Sequence, residues 1–178
     1  MTQTQGAWIS DPGAYRERLD SLVGGRPPLE VLGASAGTLS EIVRAHTAAQ
    51  LRARPFAGKW TPNEVIGHLG DSELIYGFRI RLILSEDRPP IVGVDQELWV
   101  AAQGHNQREP MELVELFRDL REHNLAFWRR LTPSDLERYG RHNERGDESL
   151  ATILGMMAGH DLSHIDQIRR YLAAAAAT

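Results

Sequence analysis

Residues 60–85 read WTPNEVIGHLGDSELIYGFRIRLILS, and this stretch carries the sharpest helix start in the chain. Thr61 offers a side-chain oxygen to free backbone N–H groups, Pro62 suits the first helical position, where no N–H is needed, and Glu64 completes a capping box. Trp60 and Val65 flank the cap as a hydrophobic staple would. Beyond it Val65, Leu69, Ser72, Tyr76, Ile80 and Ile83 recur at helical spacing. The stripe ends by Ser85, because Pro89-Pro90 cannot continue a helix. A long helix with one apolar stripe must bury that stripe against partners.

The partners are legible on both sides. Upstream, Pro12 to Val23 reads as a short helix closed by Gly24-Gly25, and Pro27-Pro28 opens a longer one that runs to about Arg54, where Pro55 stops it. Downstream, Pro110 opens a third long helix through Leu113, Leu116, Phe117, Leu120, Leu125 and Trp128, closing before Thr132-Pro133. Ser134 to Tyr139 adds one turn at most. Residues 140–146 are polar and loop-like, and Asp147 or Ser149 can cap a final helix to about Leu172. The connection between Ser85 and Pro110 is long, with Asp95 to Gln103 as a short helical turn, and connections of that length often cover something. No segment alternates as a strand would. These elements predict an all-α four-helix bundle with a long crossover connection.

The chain has 178 residues, 42% of them apolar, which is enough for one domain with a real core. We read it as a single domain over 1–178, with an N-terminal extension over 1–26 and the helical bundle over 27–174. A formal charge of -4 with scattered Lys and Arg offers no basic surface for nucleic acid. Without cysteine there is no disulfide framework and no thiolate ligand, so any metal must take nitrogen or oxygen. The start MTQTQGAWISDPG has no signal-peptide character, and no stretch approaches the ~20 apolar residues of a membrane span. A soluble, cytoplasmic protein with no membrane partner is expected.

Histidine then becomes the informative residue. On the last helix Ile153, Met156, Met157, His160, His164, Gln167 and Tyr171 fall within an arc of roughly 100°. His160 and His164 therefore share a core stripe one turn apart, a spacing from which two imidazoles reach one ion at ~2.0–2.1 Å. On the second long helix His68 lies at the edge of the apolar stripe near the helix start and can supply a third ligand. A lone histidine on an apolar face is as readily a hydrogen-bonded core residue. A buried pair is harder to satisfy, because each unpaired nitrogen costs ~1–3 kcal/mol. On the residues alone both readings stay open.

The other candidates are weaker. Glu64, one turn before His68, either orients that ring or serves the cap, and Gln167, one turn after His164, either bonds a ring nitrogen or is an ordinary buried amide. Asp71 and Glu73 read as solvated charges, and His46, His105, His123 and His142 as surface or pocket-mouth residues. Asp161 and Asp166 are rotated about 100° or more from the histidines and make poor ligands. Arg79 projects toward the His68 side and can meet an anionic substrate or form an ion pair. Leu162 and Ile165 form a second apolar patch whose simplest use is bundle packing.

The segment KWTPNEVIGHLGDSE, followed far downstream by AGHDLSHIDQI, resembles the DinB and YfiT-like superfamily of metalloenzymes. The Pro89-Pro90 connection and the DLREHNLAFWRRLTP segment extend the resemblance from about Pro28 to Leu172. It implies a four-helix bundle, a homodimer, and one divalent ion, nickel or zinc, on His68, His160 and His164. Three neutral ligands leave an open coordination position, as in catalytic rather than structural zinc sites. That position lowers the pKa of a water from 15.7 toward ~7, or accepts a thiolate. The resemblance further implies a thiol-dependent transferase or isomerase using bacillithiol or mycothiol on a small-molecule substrate. The same site would serve a metal-water hydrolase or a non-catalytic metal-binding stress protein.

Overall fold

In a computed structural model, residues 11–176 are described; residues 1–10, with the signal-free start read from them, and 177–178 lie outside. The elements are α1 (Pro12–Val23), α2 (Pro28–Arg44), α3 (Ala48–Arg52), α4 (Pro62–Ser85), β1 (Pro90–Ile91), α5 (Gln96–Gln103), a 3-10 turn (His105–Gln107), α6 (Pro110–Trp128), α7 (Pro133–Leu136), β2 (Tyr139–His142), β3 (Gly146–Ser149) and α8 (Leu150–Ala176). The bundle consists of α2, α4, α6 and α8. Each of α2 and α4 packs on both α6 and α8, so the consecutive helices α2 and α4 lie diagonally across it. Helices α4 and α6 are adjacent and run parallel, Val65 sharing one apolar cluster with Leu113 and Ile83 the other with Trp128, so the chain from 86 to 109 must cross back along the bundle.

Capping chemistry sets the boundaries. Thr61 accepts from the Glu64 N–H while the Glu64 carboxylate accepts from the Thr61 N–H, with Pro62 at the first position, so α4 begins as its sequence dictates. The single long helix expected from Pro28 to Arg54 is instead two. Thr47 leaves helical geometry and starts α3 with its own Thr47/Gln50 capping box, a local restart that apolar periodicity does not reveal. Ser149, not Asp147, accepts from the Thr152 N–H at the start of α8.

The chain also contains strands where none were expected. β1 pairs parallel with β2, and β2 antiparallel with β3, in a three-stranded sheet. The loop read over 140–146 is thus most of a hairpin, turned at Gly146 with φ of 76°. Strands of two and four residues are too short to display alternation, and β1 finds its partner about fifty residues away in sequence.

The core is divided. One apolar cluster joins Leu39, Val65, Leu69, Leu113, Phe117, Ile165 and Ile168; the other joins Leu32, Ile80, Ile83, Leu125, Leu150, Ile153 and Met157. Ile165, with partly buried Leu162, is spent on this bundle packing. Between the clusters lies a buried polar layer: Ser35 on α2, Glu73 on α4, Arg121 and Asn124 on α6, and Asp161 on α8. Outside the bundle, α1 docks on α8 at Gly159, where an added Cβ would come within 2.6 Å of the Leu19 backbone. Among the described residues no helix is long and apolar enough to cross a membrane.

Candidate metal centre

His68 arrives from the second turn of α4, and His160 and His164 from successive turns of α8. The antiparallel pairing of those helices brings them together. His68 Nε2 and His164 Nε2 each lie 3.1 Å from His160 Nε2. His68 and His160 are buried and His164 is half-buried. The Trp60 ring, fixed by its Nε1–H bond to Glu97 Oε2 at 2.9 Å, lies 4.9 Å from the His68 ring and nearly parallel to His164 at 6.3 Å. Trp60 was expected as a staple; it also forms one wall of the histidine cluster.

Burial holds all three imidazoles neutral. It lowers the pKa of His68 and His160 well below the ordinary value, with His164 as the next contribution to each. His164 is lowered to about 4, again by burial, against an opposing hydrogen bond with Gln167. That bond runs from His164 Nδ1–H to Gln167 Oε1 at 2.7 Å. Because a side-chain carbonyl only accepts, the proton sits on Nδ1 and His164 Nε2 presents a lone pair. His160 Nε2 faces two nitrogens and can carry one hydrogen, so no assignment of protons satisfies both contacts well. A tetrahedral ion with bonds of ~2.0–2.1 Å would hold its ligand atoms about 3.3 Å apart, close to both contacts. The three donors lie within 4.8 Å of one another, a set that fits one divalent ion.

The ligand side opens on a pocket of about 210 Å³ lined by Gly58, Lys59, Trp60, Gln96, Glu97, His164, Gln167 and Tyr171. The crossover therefore does cover something: α5 supplies part of the mouth.

The remaining candidates divide clearly. Glu64 belongs to the cap and pairs with Arg54 at 3.0 Å, while Gln167 is the residue that orients a histidine. Asp71 and Glu73, expected in solvent, are not there. Asp71 pairs with His105 Nε2 at 2.8 Å, and Glu73 is 1% exposed beside Arg121. Asp161 indeed turns from the histidines and takes a bidentate bond from Arg121, at 2.6 and 3.0 Å. Burial opposes the Arg121 charge, but Asp161 and Glu73 raise its pKa. Arg79 is buried over the Tyr76 ring and donates to the Val92 carbonyl.

His46 is half-buried and His123 exposed, but His105 and His142 are buried, contrary to expectation. His105 seals the back of α4 beside His68: an added Cβ at Gly67 would fall 2.2 Å from its ring. That glycine, directly before a histidine on an otherwise crowded helix, was the available signal. His142, the last residue of β2, has a buried side chain that accepts at Nδ1 from the Glu144 N–H, and its Nε2 has no partner among the described residues. Burial lowers its pKa to about 4.

A four-helix bundle with diagonal consecutive helices and a convergent histidine triad open to a pocket is a defined class of protein. The profile of the DinB superfamily matches residues 32–168, and the chain belongs to that superfamily. A protein of Oceanobacillus iheyensis named "Putative metal-dependent hydrolase" is 32% identical over 113 residues, covering 63% of this chain and 64% of the relative. The chain thus spans just under two thirds of that relative's length. YfiT of Bacillus subtilis, similarly named, is 28% identical over 141 residues, or 79% of each chain. The solved structure of YfiT, described as having an unusual four-helix bundle topology, superposes with a TM-score of 0.74 at 26% identity. It covers 82% of this chain and 86% of its own.

Proposed function

We propose that the chain is a metal-dependent enzyme that holds one divalent ion, nickel or zinc, on Nε2 of His68, His160 and His164, and uses it to activate a small thiol for transfer to an electrophile. The observation that carries the metal is the convergence of three neutral imidazoles, two buried and one half-buried, whose two mutual contacts no arrangement of protons satisfies together. Imidazole donors suit both metals. An ion there supplies Lewis acidity, bringing a thiol or water in its open position into the anionic form near neutral pH.

The chain's own residues prepare that step. Gln167 keeps the His164 proton on Nδ1, burial keeps the rings neutral, and Trp60 shields one side from water. The carboxylates nearest the histidines along the chain are engaged, Asp161 with Arg121, Asp166 with Arg170, Asp71 with His105 and Glu64 in the cap, and Glu97 of the pocket lining is bonded to Trp60. A coordinating thiol is deprotonated outright, whereas bound water reaches a pKa of only ~7, so a site whose nearby carboxylates are engaged favours the thiol. Metal-loaded protein incubated with bacillithiol or mycothiol and monochlorobimane should form conjugate faster than His160→Ala; equal rates overturn the thiol reading.

A second reading, metal-dependent hydrolysis, draws on the names of the relatives. Turnover of esters or amides without any thiol, abolished in His160→Ala, would select it.

A further inference from the structure

The pocket beside the histidines has a distal end. Its wall follows one face of α8 from His164 through Gln167 to Tyr171, and Lys59 and Gln96 complete it. The hydrogen bonds along that wall have a direction. His164 Nδ1–H donates to Gln167 Oε1 at 2.7 Å, which commits the Gln167 amide nitrogen to donate onward to the Tyr171 hydroxyl at 3.0 Å. The phenol oxygen accepts there, so its own hydrogen remains to be given, and among the described residues it has no acceptor. Phe56 holds the Tyr171 ring edge-on at 5.6 Å, and the side chain is 8% exposed. Lys59 is exposed and is the only cation among the lining residues; its ammonium makes no ion pair among the described residues. The one carboxylate of the lining, Glu97, is tied to Trp60 Nε1.

Building on the metal-centred reading above, we propose that Tyr171 and Lys59 form a subsite for a carboxylate carried at the far end of the substrate or thiol whose other end reaches the ion. A phenolic O–H and an ammonium are both donors without acceptors, and a carboxylate takes charge-assisted bonds from both. The ligands of this pocket are therefore acids with a donor atom at the opposite end, not their neutral counterparts. Tyr171 and Lys59 act here as specificity-determining residues, while Gln167 fixes the direction in which the tyrosine proton points.

The test uses cobalt-loaded full-length protein, whose visible absorption reports ligand entry at the ion. It is titrated with 3-mercaptopropionate and 6-mercaptohexanoate and with the matching amides. The better-fitting acid should bind about tenfold more tightly than its amide, the worth of one charge-assisted hydrogen bond. Tyr171→Phe and Lys59→Met should each bring that ratio toward one while leaving cobalt content unchanged. Equal binding of acid and amide in the unsubstituted protein, or a preference that survives both substitutions, overturns the subsite and leaves the metal centre standing. Absorption unmoved by any thiol would instead remove the open position itself, and the subsite with it.

Discussion

His160 and Asp161 are adjacent on α8, yet they belong to two buried polar clusters built in opposite ways. Asp161 and Glu73 neutralise Arg121, one of whose terminal nitrogens also donates to the Leu32 carbonyl; Asn124 completes Glu73, and within this cluster Arg121 Nε alone lacks a partner among the described residues. On the neighbouring face, three uncharged imidazoles direct Nε2 atoms at one another. The charged cluster is nearly complete as it stands, and the neutral one is a donor set that fits one divalent ion. Burial of polar side chains thus does not mark a functional site, because the mid-bundle layer is as buried as the histidines. What marks it is convergence of like donors that nothing among the described residues satisfies.

The sharpest way to break this contrast is Arg121→Met, which strands two buried carboxylates. We expect a loss of about 3–5 kcal/mol in urea unfolding, and recovery of much of it when Glu73→Gln and Asp161→Asn are added. A cost below about 1 kcal/mol would show that the layer is not a coupled unit. Removing a histidine should act differently. At metal concentrations a hundredfold above Kd the unsubstituted protein gains about 2.7 kcal/mol, whereas His160→Ala gains none. A variant that is still stabilised by metal would separate the cluster from the ion.

Packing beside the site gives a third test. Gly67→Ala must displace the buried His105 ring, at a cost of about 1–3 kcal/mol. Unchanged stability would mean that the ring moves freely. Protons test the same cluster without mutation. His164 titrates near 4 when folded and near 6.5 when unfolded, and burial acts on His68, His160 and His142 in the same direction. Above pH 6.5 both states are neutral and stability from this source is flat. Between 6.5 and about 4 the unfolded chain takes up protons that the folded chain refuses, so the metal-free protein loses stability as pH falls. Chemical unfolding across that range should show the decline, and His164→Leu should lessen it. The smallest effect belongs to Glu64→Ala, which forfeits the cap at about 1 kcal/mol but leaves metal binding intact. Weakened metal binding in that variant would return Glu64 to the site.

Much of this was legible in the residues. Thr61-Pro62 and Glu64 start α4 where expected, and helical phase alone places His160, His164, Gln167 and Tyr171 on one face. The bundle and the family follow from the same two segments. Hidden from the sequence was whatever depends on partners distant along the chain. Glu73 and Asp161 read as solvated or idle until Arg121 meets them from α6, and Asp71 until His105 arrives from the crossover. The small sheet escaped because β1 is two residues long and gains its hydrogen bonds from β2. Trp60 was placed correctly at the helix start, but its contact with the imidazoles depends on Glu97 in α5.

Calorimetry tests most directly whether three histidines share one divalent ion. Protein stripped with chelator and titrated with zinc or nickel in a calorimeter should bind one ion per chain. His68→Ala, His160→Ala and His164→Ala should each weaken that binding severely while leaving the chain folded. No saturable binding by the unsubstituted protein, or a stoichiometry and affinity that all three variants retain, would contradict that sharing.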